Sequence, residues 1–313
     1  MKLAAIDIGS NSIKLVVVDA AASDSFVVLT SEREVVRLGH ETLLKGHIGR
    51  AAIVRAAGCI KRLRSIAEAR GAESIVAIAT ASVRAANNAA DFIRAIEQKA
   101  GVRVEVLSGI EEARLIGLAA SQGCSDKRSP TLNIDIGGGS TELSIFRDDQ
   151  PIALMSVKLG AVGLTERFLV SDPPRPRELH ELRAEIQAAL ERPARELRDH
   201  SWDAATGTSG TILAIGQALR NRSVINLEEL ARWNAIVSVM STAQRQDAGM
   251  TAQRAEIIVA GGQVLEGTMR ALEVKSLRIC DWALREGVII DRLRQCEAES
   301  KLQISRKGAK TQR

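Results

Sequence analysis

A chain of 313 residues, 45% of them apolar, is long enough to build two domains with sizeable cores. Four Phe, three Trp and no Tyr exclude the aromatic platform of a single-strand nucleic-acid binder, so no nucleic-acid partner is expected. The net charge of +5 belongs to the C-terminal end: five of the 43 Lys/Arg lie within 301–313, where there is no acid, and the others balance the 38 Asp/Glu.

No apolar run approaches the roughly 18 residues of a membrane span. Asp7 and the polar turn after it interrupt the apolar start too early for a secretory leader. A cytoplasmic protein without a membrane partner is the expectation. Cys59, Cys124, Cys280 and Cys296 stand far apart with no C-x-x-C pair, so buried reduced thiols are expected.

In chain order, residues 3–8, 14–19 and 26–30 read as short apolar strands. A helix follows over about 50–70, ended by Gly71. A buried strand at 74–79 leads into Thr80–Arg84; a helix covers 88–99 and a strand 103–107. Ser108 then caps a helix whose first turn carries Glu111 and Glu112. The second half replays this scheme. Strands are expected at 131–136, 141–146 and 152–159, a charged helix at 177–192 and a strand at 204–206. Helices at 211–220, 227–241 and 254–272 follow, then a strand at 275–280 and a last helix opened by Asp281–Gly287.

Two stretches organise this pattern. Asp7-Ile8-Gly9-Ser10-Asn11-Ser12-Ile13-Lys14-Leu15 and Asp135-Ile136-Gly137-Gly138-Gly139-Ser140-Thr141-Glu142-Leu143 share Asp, Ile, Gly, Ser and Leu at matching offsets. Each reads as strand, tight turn, strand, with an acid at the end of the first strand. Gly-rich turns let backbone amides converge on phosphate oxygens. The duplication implies an α/β protein of two similar lobes, 1–122 and 123–300, joined by a polar connector near 121–130, with both turns facing the cleft. The last helix, about 285–300, is expected to pack back on the first lobe, and 301–313 to form a disordered basic tail.

Gly207-Thr208-Ser209-Gly210-Thr211 is a third Gly-rich turn, and three such turns in one cleft suit a ligand with several phosphates. Neither a Walker A spacing nor a helix-opening G-x-G-x-x-G is present. Asp135 and Glu142 lie across one turn, a pattern suited to Mg²⁺, and Asp7 is their counterpart. Arg84 suits either a transferring phosphoryl group or a structural ion pair. Acids in a first helical turn are commonplace because the helix dipole favours them. Anhydride hydrolysis nevertheless needs a group to activate water, and no histidine stands near a motif turn. A cleft carboxylate is left as general base.

The segments D-I-G-S-N-S (7–12), T-A-S-V-R (80–84), S-G-I-E-E-A-R-L-I-G (108–117) and D-I-G-G-G-S-T-E (135–142) resemble the exopolyphosphatase/guanosine-pentaphosphatase family, and the resemblance runs to about residue 295. It implies the actin/sugar-kinase/Hsp70-like fold, Mg²⁺ or Mn²⁺ as cofactor, and a homodimer. The implied reaction removes terminal phosphate from inorganic polyphosphate or guanosine pentaphosphate. By position, Glu112 matches the general base, and Asp135 and Glu142 the metal-site and catalytic acids, with Asp7 contributing. Arg84 and Arg254 match phosphate-binding arginines. The turns Gly9, Ser10, Asn11, Ser12; Gly137, Gly138, Gly139, Ser140; and Gly207, Thr208, Ser209, Gly210, Thr211 match phosphate cradles. Thr208 stands where Ala is commoner, and the helical region appended to long members is absent, which leaves chain-length preference open. A kinase of the same fold and a non-catalytic polyphosphate- or nucleotide-binding module are the rival readings.

Overall fold

The computed structural model describes residues 1–22, 25–40, 42–124, 128–221 and 223–311, with side chains as far as Glu299. In the first lobe, strands β1 (Lys2–Ile8), β2 (Ser12–Ala22) and β3 (Ser25–Val35) form an antiparallel meander. Helices α1 (Thr42–Lys45) and α2 (Arg50–Ala69) follow, then β4 (Ser74–Ala79), α3 (Ala81–Arg84), α4 (Ala89–Ala100) and β5 (Val104–Val106). The sheet order is β3-β2-β1-β4-β5, with β4 and β5 parallel to β1. Helix α5 (Gly109–Cys124) leads to the second lobe.

There β6 (Thr131–Ile136), β7 (Thr141–Arg147) and β8 (Gln150–Val157) repeat the meander. They are followed by α6 (Ala161–Phe168), α7 (Pro176–Arg198), β9 (Ala204–Thr208) and α8 (Ser209–Ala218). The chain continues as β10 (Val224–Asn226), α9 (Leu227–Val237), α10 (Thr242–Asp247), α11 (Ala252–Ala271), β11 (Ser276–Ile279) and α12 (Leu284–Thr311). The order β10-β11-β9-β6-β7-β8 reproduces the first sheet strand for strand and adds β10 at one edge. The two-lobe α/β architecture expected from the duplicated stretches is present.

Each lobe has its own apolar core. Ile6, Ile8, Leu15, Ile60, Leu63 and Phe92 sit in the first, and Leu132, Ile134, Leu182, Ile212, Val264 and Leu277 in the second. Helices α5 and α12 join them. α12 lays Leu284, Val288, Ile289 and Leu293 against Leu3, Ala5 and Val16 of the first sheet and Leu115 and Ile116 of α5. α5 also covers the β7–β8 hairpin, with Leu118 beside Phe146. The two helices cross so tightly that a Cβ on Gly287 would lie 2.0 Å from the Leu115 carbonyl oxygen. Arg114 clamps the crossing, pairing with Glu111 (2.6 Å) and with Asp291 (2.9 Å). The ion pair Arg37–Glu256 and the contact of His40 Nδ1 with Glu166 Oε1, each 2.9 Å, tie the first lobe to α11 and α6.

Several expectations differ from the structure. Cys124 and Cys280 are joined by a disulfide, with Cα atoms 5.8 Å apart, whereas reduced thiols were expected throughout; Cys59 and Cys296 are in no disulfide. The two partners are 156 residues apart, a separation in which spacing carries no pairing signal. The 121–130 connector is helical to Cys124, and 125–127 lie outside the described residues. α7 runs through Pro193 to Arg198, since Leu190, Ala194 and Leu197 continue its buried stripe and outweigh the lost amide bond. The backbone of 301–311 continues α12 where a disordered tail was expected; its Lys, Leu, Gln, Arg and Ala residues are good helix formers. No helix among the described residues is long and apolar enough to cross a membrane.

Candidate active site

The site grows out of the two hairpin turns. In β1–β2 the Gly9 amide donates to the Ser12 carbonyl (3.2 Å), and in β6–β7 the Gly137 amide donates to Ser140 (2.9 Å). The remaining turn carbonyls are drawn outward in both lobes. Asn11 O accepts from Val36 and Arg37, and Ser10 O from Gly39; Gly137 O and Gly138 O accept from Ala161, Val162 and Gly163 at the start of α6. Among the described residues the amides of Ser10, Asn11, Gly138 and Gly139 donate to no backbone carbonyl, which leaves them for a ligand's oxygens. The turn tips meet across the cleft: a Cβ on Gly138 would stand 2.7 Å from Ser10 Cβ.

Between the tips and α8 lies a cavity of about 300 Å³. All of Gly9–Ser12, Gly137–Ser140, Ser209–Thr211 and Arg254 line it, together with Asp7, Glu112 and Asp135. Ser209 holds a left-handed φ of +90° at the start of α8, and its hydroxyl accepts from the Thr211 amide (3.2 Å). Gly207 and Thr208 stand behind this wall, where Thr208 Oγ1 donates to Asp135 Oδ2 (2.6 Å). Thr208, the departure from the commoner Ala, thus fixes the Asp135 carboxylate.

Three acids cluster here from different elements. Asp135 and Glu142 are directly opposed across β6–β7, so their side chains leave the sheet on one face. Glu112 comes from the first turn of α5. Burial pushes the Glu112 carboxyl up to about 7; Arg84 opposes this, and Asp7 and Asp135 add to it. Burial also raises Asp135 to about 6, against the Thr208 hydrogen bond and Lys14. Glu142, only 2% exposed, is pushed well above the ordinary carboxylate range, first by burial and then by Glu112 and Asp135. Its Oε1 accepts from Ser156 (2.8 Å), and its Oε2 has no partner among the described residues.

Arg84 is placed differently from a simple phosphate ligand. Its Nη1 donates to Glu112 Oε2 (2.8 Å) and to the Leu107 carbonyl (2.9 Å), so it holds the acid in place from behind. Arg254 lies on the cavity wall itself. Its guanidinium rests against Gly210 with no carboxylate partner among the described residues, and burial, then Arg33, lowers it to about 10. Three cations the sequence reading left unassigned join it: Lys14, Arg33 and Arg285 all line the cavity. Lys14 lies 3.5 Å from Asp7. Arg33 Nε donates to Ser12 Oγ (3.3 Å), and Arg285 Nη1 to Ser31 Oγ (2.9 Å).

Among the described residues no three His, Cys, Asp or Glu side chains form a ready metal cage, so Asp7, Asp135 and Glu142 do not enclose an ion by themselves. Their donor set is oxygen only and includes an unpartnered buried carboxylate oxygen. That set fits a hard divalent cation completed by water and phosphate oxygens, the usual Mg²⁺ arrangement.

Residues 16–296 match the Ppx/GppA phosphatase family. Exopolyphosphatase 1 of Mycobacterium leprae is 33% identical over 304 residues, spanning 94% of this chain and 90% of that protein. Its counterpart in Mycobacterium tuberculosis H37Rv is 34% identical, spanning 94% and 88%. The structure of an exopolyphosphatase from Cytophaga hutchinsonii superposes with a TM-score of 0.87 at 24% identity, covering 94% of this chain and 98% of that one. That of the Aquifex aeolicus Ppx/GppA family member gives 0.78 at 24% identity, covering 94% and 98%. Both likenesses concern the fold, and the sequence match decides membership: the chain belongs to the Ppx/GppA phosphatase family.

Proposed function

We propose that this protein is an exopolyphosphatase, which hydrolyses the terminal phosphoanhydride bond of inorganic polyphosphate. The observation that carries the reading is Glu112: a buried carboxylate with its proton affinity raised to about 7 beside a cavity lined by four cations and two amide cradles. The turn amides around Ser10, Asn11, Gly138 and Gly139 hold the terminal phosphoryl group. Lys14, Arg33, Arg254 and Arg285 hold the phosphates behind it, where negative charge grows as the bridging P–O bond breaks. Glu112 accepts a proton from the attacking water, and Arg84 keeps its carboxylate oriented. Asp7 and Asp135 would hold a divalent cation, with Glu142 behind them, and that ion supplies charge neutralisation at the phosphate oxygens.

Polyphosphate is favoured over guanosine pentaphosphate by the lining itself, which offers cations and amides but no aromatic ring for a base. It is also the substrate named in the Mycobacterium relatives. Phosphate release measured in parallel from polyphosphates of several lengths, guanosine pentaphosphate and ATP tests this directly. Faster release from the nucleotide would overturn the preference. Phosphate transfer from ATP to an added acceptor would favour a kinase, and binding without release a sensor. Glu112→Gln should retain the fold and lower turnover by roughly 10²–10⁴-fold. In the wild type, activity should be lost as pH falls through about 7, because the base must be unprotonated. A variant with near-wild-type turnover and an unchanged acid limb would remove Glu112 from the mechanism.

A further inference from the structure

A second interlobe cavity, of about 550 Å³, lies beyond the Glu112–Arg84 pair. Gly139 and Ser140 line both cavities, so the second begins at the turn that cradles the terminal phosphoryl group. Its charged lining consists of Arg84, Lys158 and Arg167, with no acidic side chain among the described residues. Lys158 is exposed and has no ion pair among the described residues. Arg167 pairs with Glu185 at 3.1 Å yet remains 46% exposed. Ser156, whose hydroxyl donates to Glu142, lines the second cavity.

In-line displacement puts the attacking water and the departing chain on opposite faces of the phosphorus. The chain lies among Lys14, Arg33, Arg254 and Arg285, so the new orthophosphate forms on the other face. Its way back through the first cavity is filled by the shortened polyphosphate. The geometry points to the second cavity as a separate orthophosphate site on the exit path, with Lys158 and Arg167 as its outer cations. This rests on the hydrolase reading above. The first cavity keeps the substrate chain, and the second receives a single product ion.

The test is product inhibition of the full chain by inorganic orthophosphate, with long polyphosphate as substrate. In the wild type, saturating polyphosphate should fail to relieve the inhibition, because the two anions occupy different cavities. Lys158→Glu, and Lys158→Glu combined with Arg167→Gln, should raise the orthophosphate inhibition constant by about tenfold or more while KM for polyphosphate stays within about twofold. Lys158→Arg should restore inhibition. Inhibition fully relieved by substrate, or an inhibition constant unmoved in both variants, would overturn the assignment. So would KM rising in step with the inhibition constant, which would make the cavity part of the chain-binding surface. Calorimetric titration of orthophosphate without substrate separates the two claims: Lys158-dependent binding by a protein that releases no phosphate from polyphosphate would keep the site and sink the hydrolase reading.

Discussion

The β1–β2 and β6–β7 hairpins share a backbone and differ in one charge. Both close with the same glycine-to-serine hydrogen bond, both give their outer carbonyls to the following segment, and both carry aspartate as the penultimate residue of their first strand. The residue opposite that aspartate is Lys14 in the first lobe and Glu142 in the second. The first pair sets an ammonium beside its acid. The second is an acid opposed to an acid, and burial, then Glu112 reaching over from α5, raises the proton affinity of Glu142. A duplicated cradle therefore becomes a site with direction: cations gather on the side of Lys14, Arg33, Arg254 and Arg285, and acids on the side of Glu142 and Glu112.

Making the second pair resemble the first should do the most damage. Glu142→Lys places an ammonium opposite Asp135 and cancels the charge that a divalent cation needs. Phosphate release should fall by about 10²–10³-fold, with circular dichroism showing a folded chain. If more than a tenth of wild-type turnover survives, the acid–acid pair is not what separates the hairpins. The reciprocal probe is milder. Lys14→Met leaves Asp7 unpaired and removes a cation from the cavity, so KM for polyphosphate should rise by roughly tenfold to a hundredfold with kcat less affected. A change confined to kcat would instead place Lys14 at the reacting group.

These contrasts were partly written in the sequence. The hairpins could be read because their glycines, serines and acids recur at fixed offsets. That a cleft carboxylate must serve as base could be read because no histidine stands near a motif turn, but only the family resemblance singled out Glu112 from its neighbour Glu111. The cationic side was harder to see. Arg33 lies beyond the apolar run 26–30, on a strand that extends to Val35 because it pairs with β2 along its whole length. Arg285 stands in a segment already singled out, but its direction depends on α12 returning to the first lobe, where it meets Ser31. Helix α6 carries the three amides that fix the second turn, yet it is eight residues long and opens Gly160-Ala161-Val162-Gly163, with too little periodicity to read as a helix. β10, three residues long, is shorter still. Arg84 was legible as a site residue, but its role as a partner to Glu112 needs the fold.

The smallest expected effect concerns stability, and it follows from the same asymmetry. Asp135 is buried beside other acids, and its carboxyl is raised from 3.8 to about 6. The folded chain therefore holds that proton more tightly than the unfolded chain does. Below about pH 3.8 the group is protonated in both states and has no effect on their balance. As pH rises through the interval up to about 6, the unfolded chain releases the proton first, and the native state loses relative stability until both forms are ionised. Asp135→Asn removes the charge while its amide oxygen can still accept from Thr208. At pH 8 the variant should be more stable than the wild type by about 1–3 kcal/mol, since each pKa unit corresponds to about 1.4 kcal/mol. Denaturant titrations at pH 8 and near pH 4 should show that gain shrinking toward the acid end, and the variant should be inactive throughout. Such a trade, stability gained where function is lost, is expected of a site whose buried charges await a cation and a polyanion. An equal gain at both pH values would assign the effect to packing. A loss at pH 8 would mean that Lys14 and Thr208 already compensate the Asp135 charge, and the two hairpins would then be electrostatically alike.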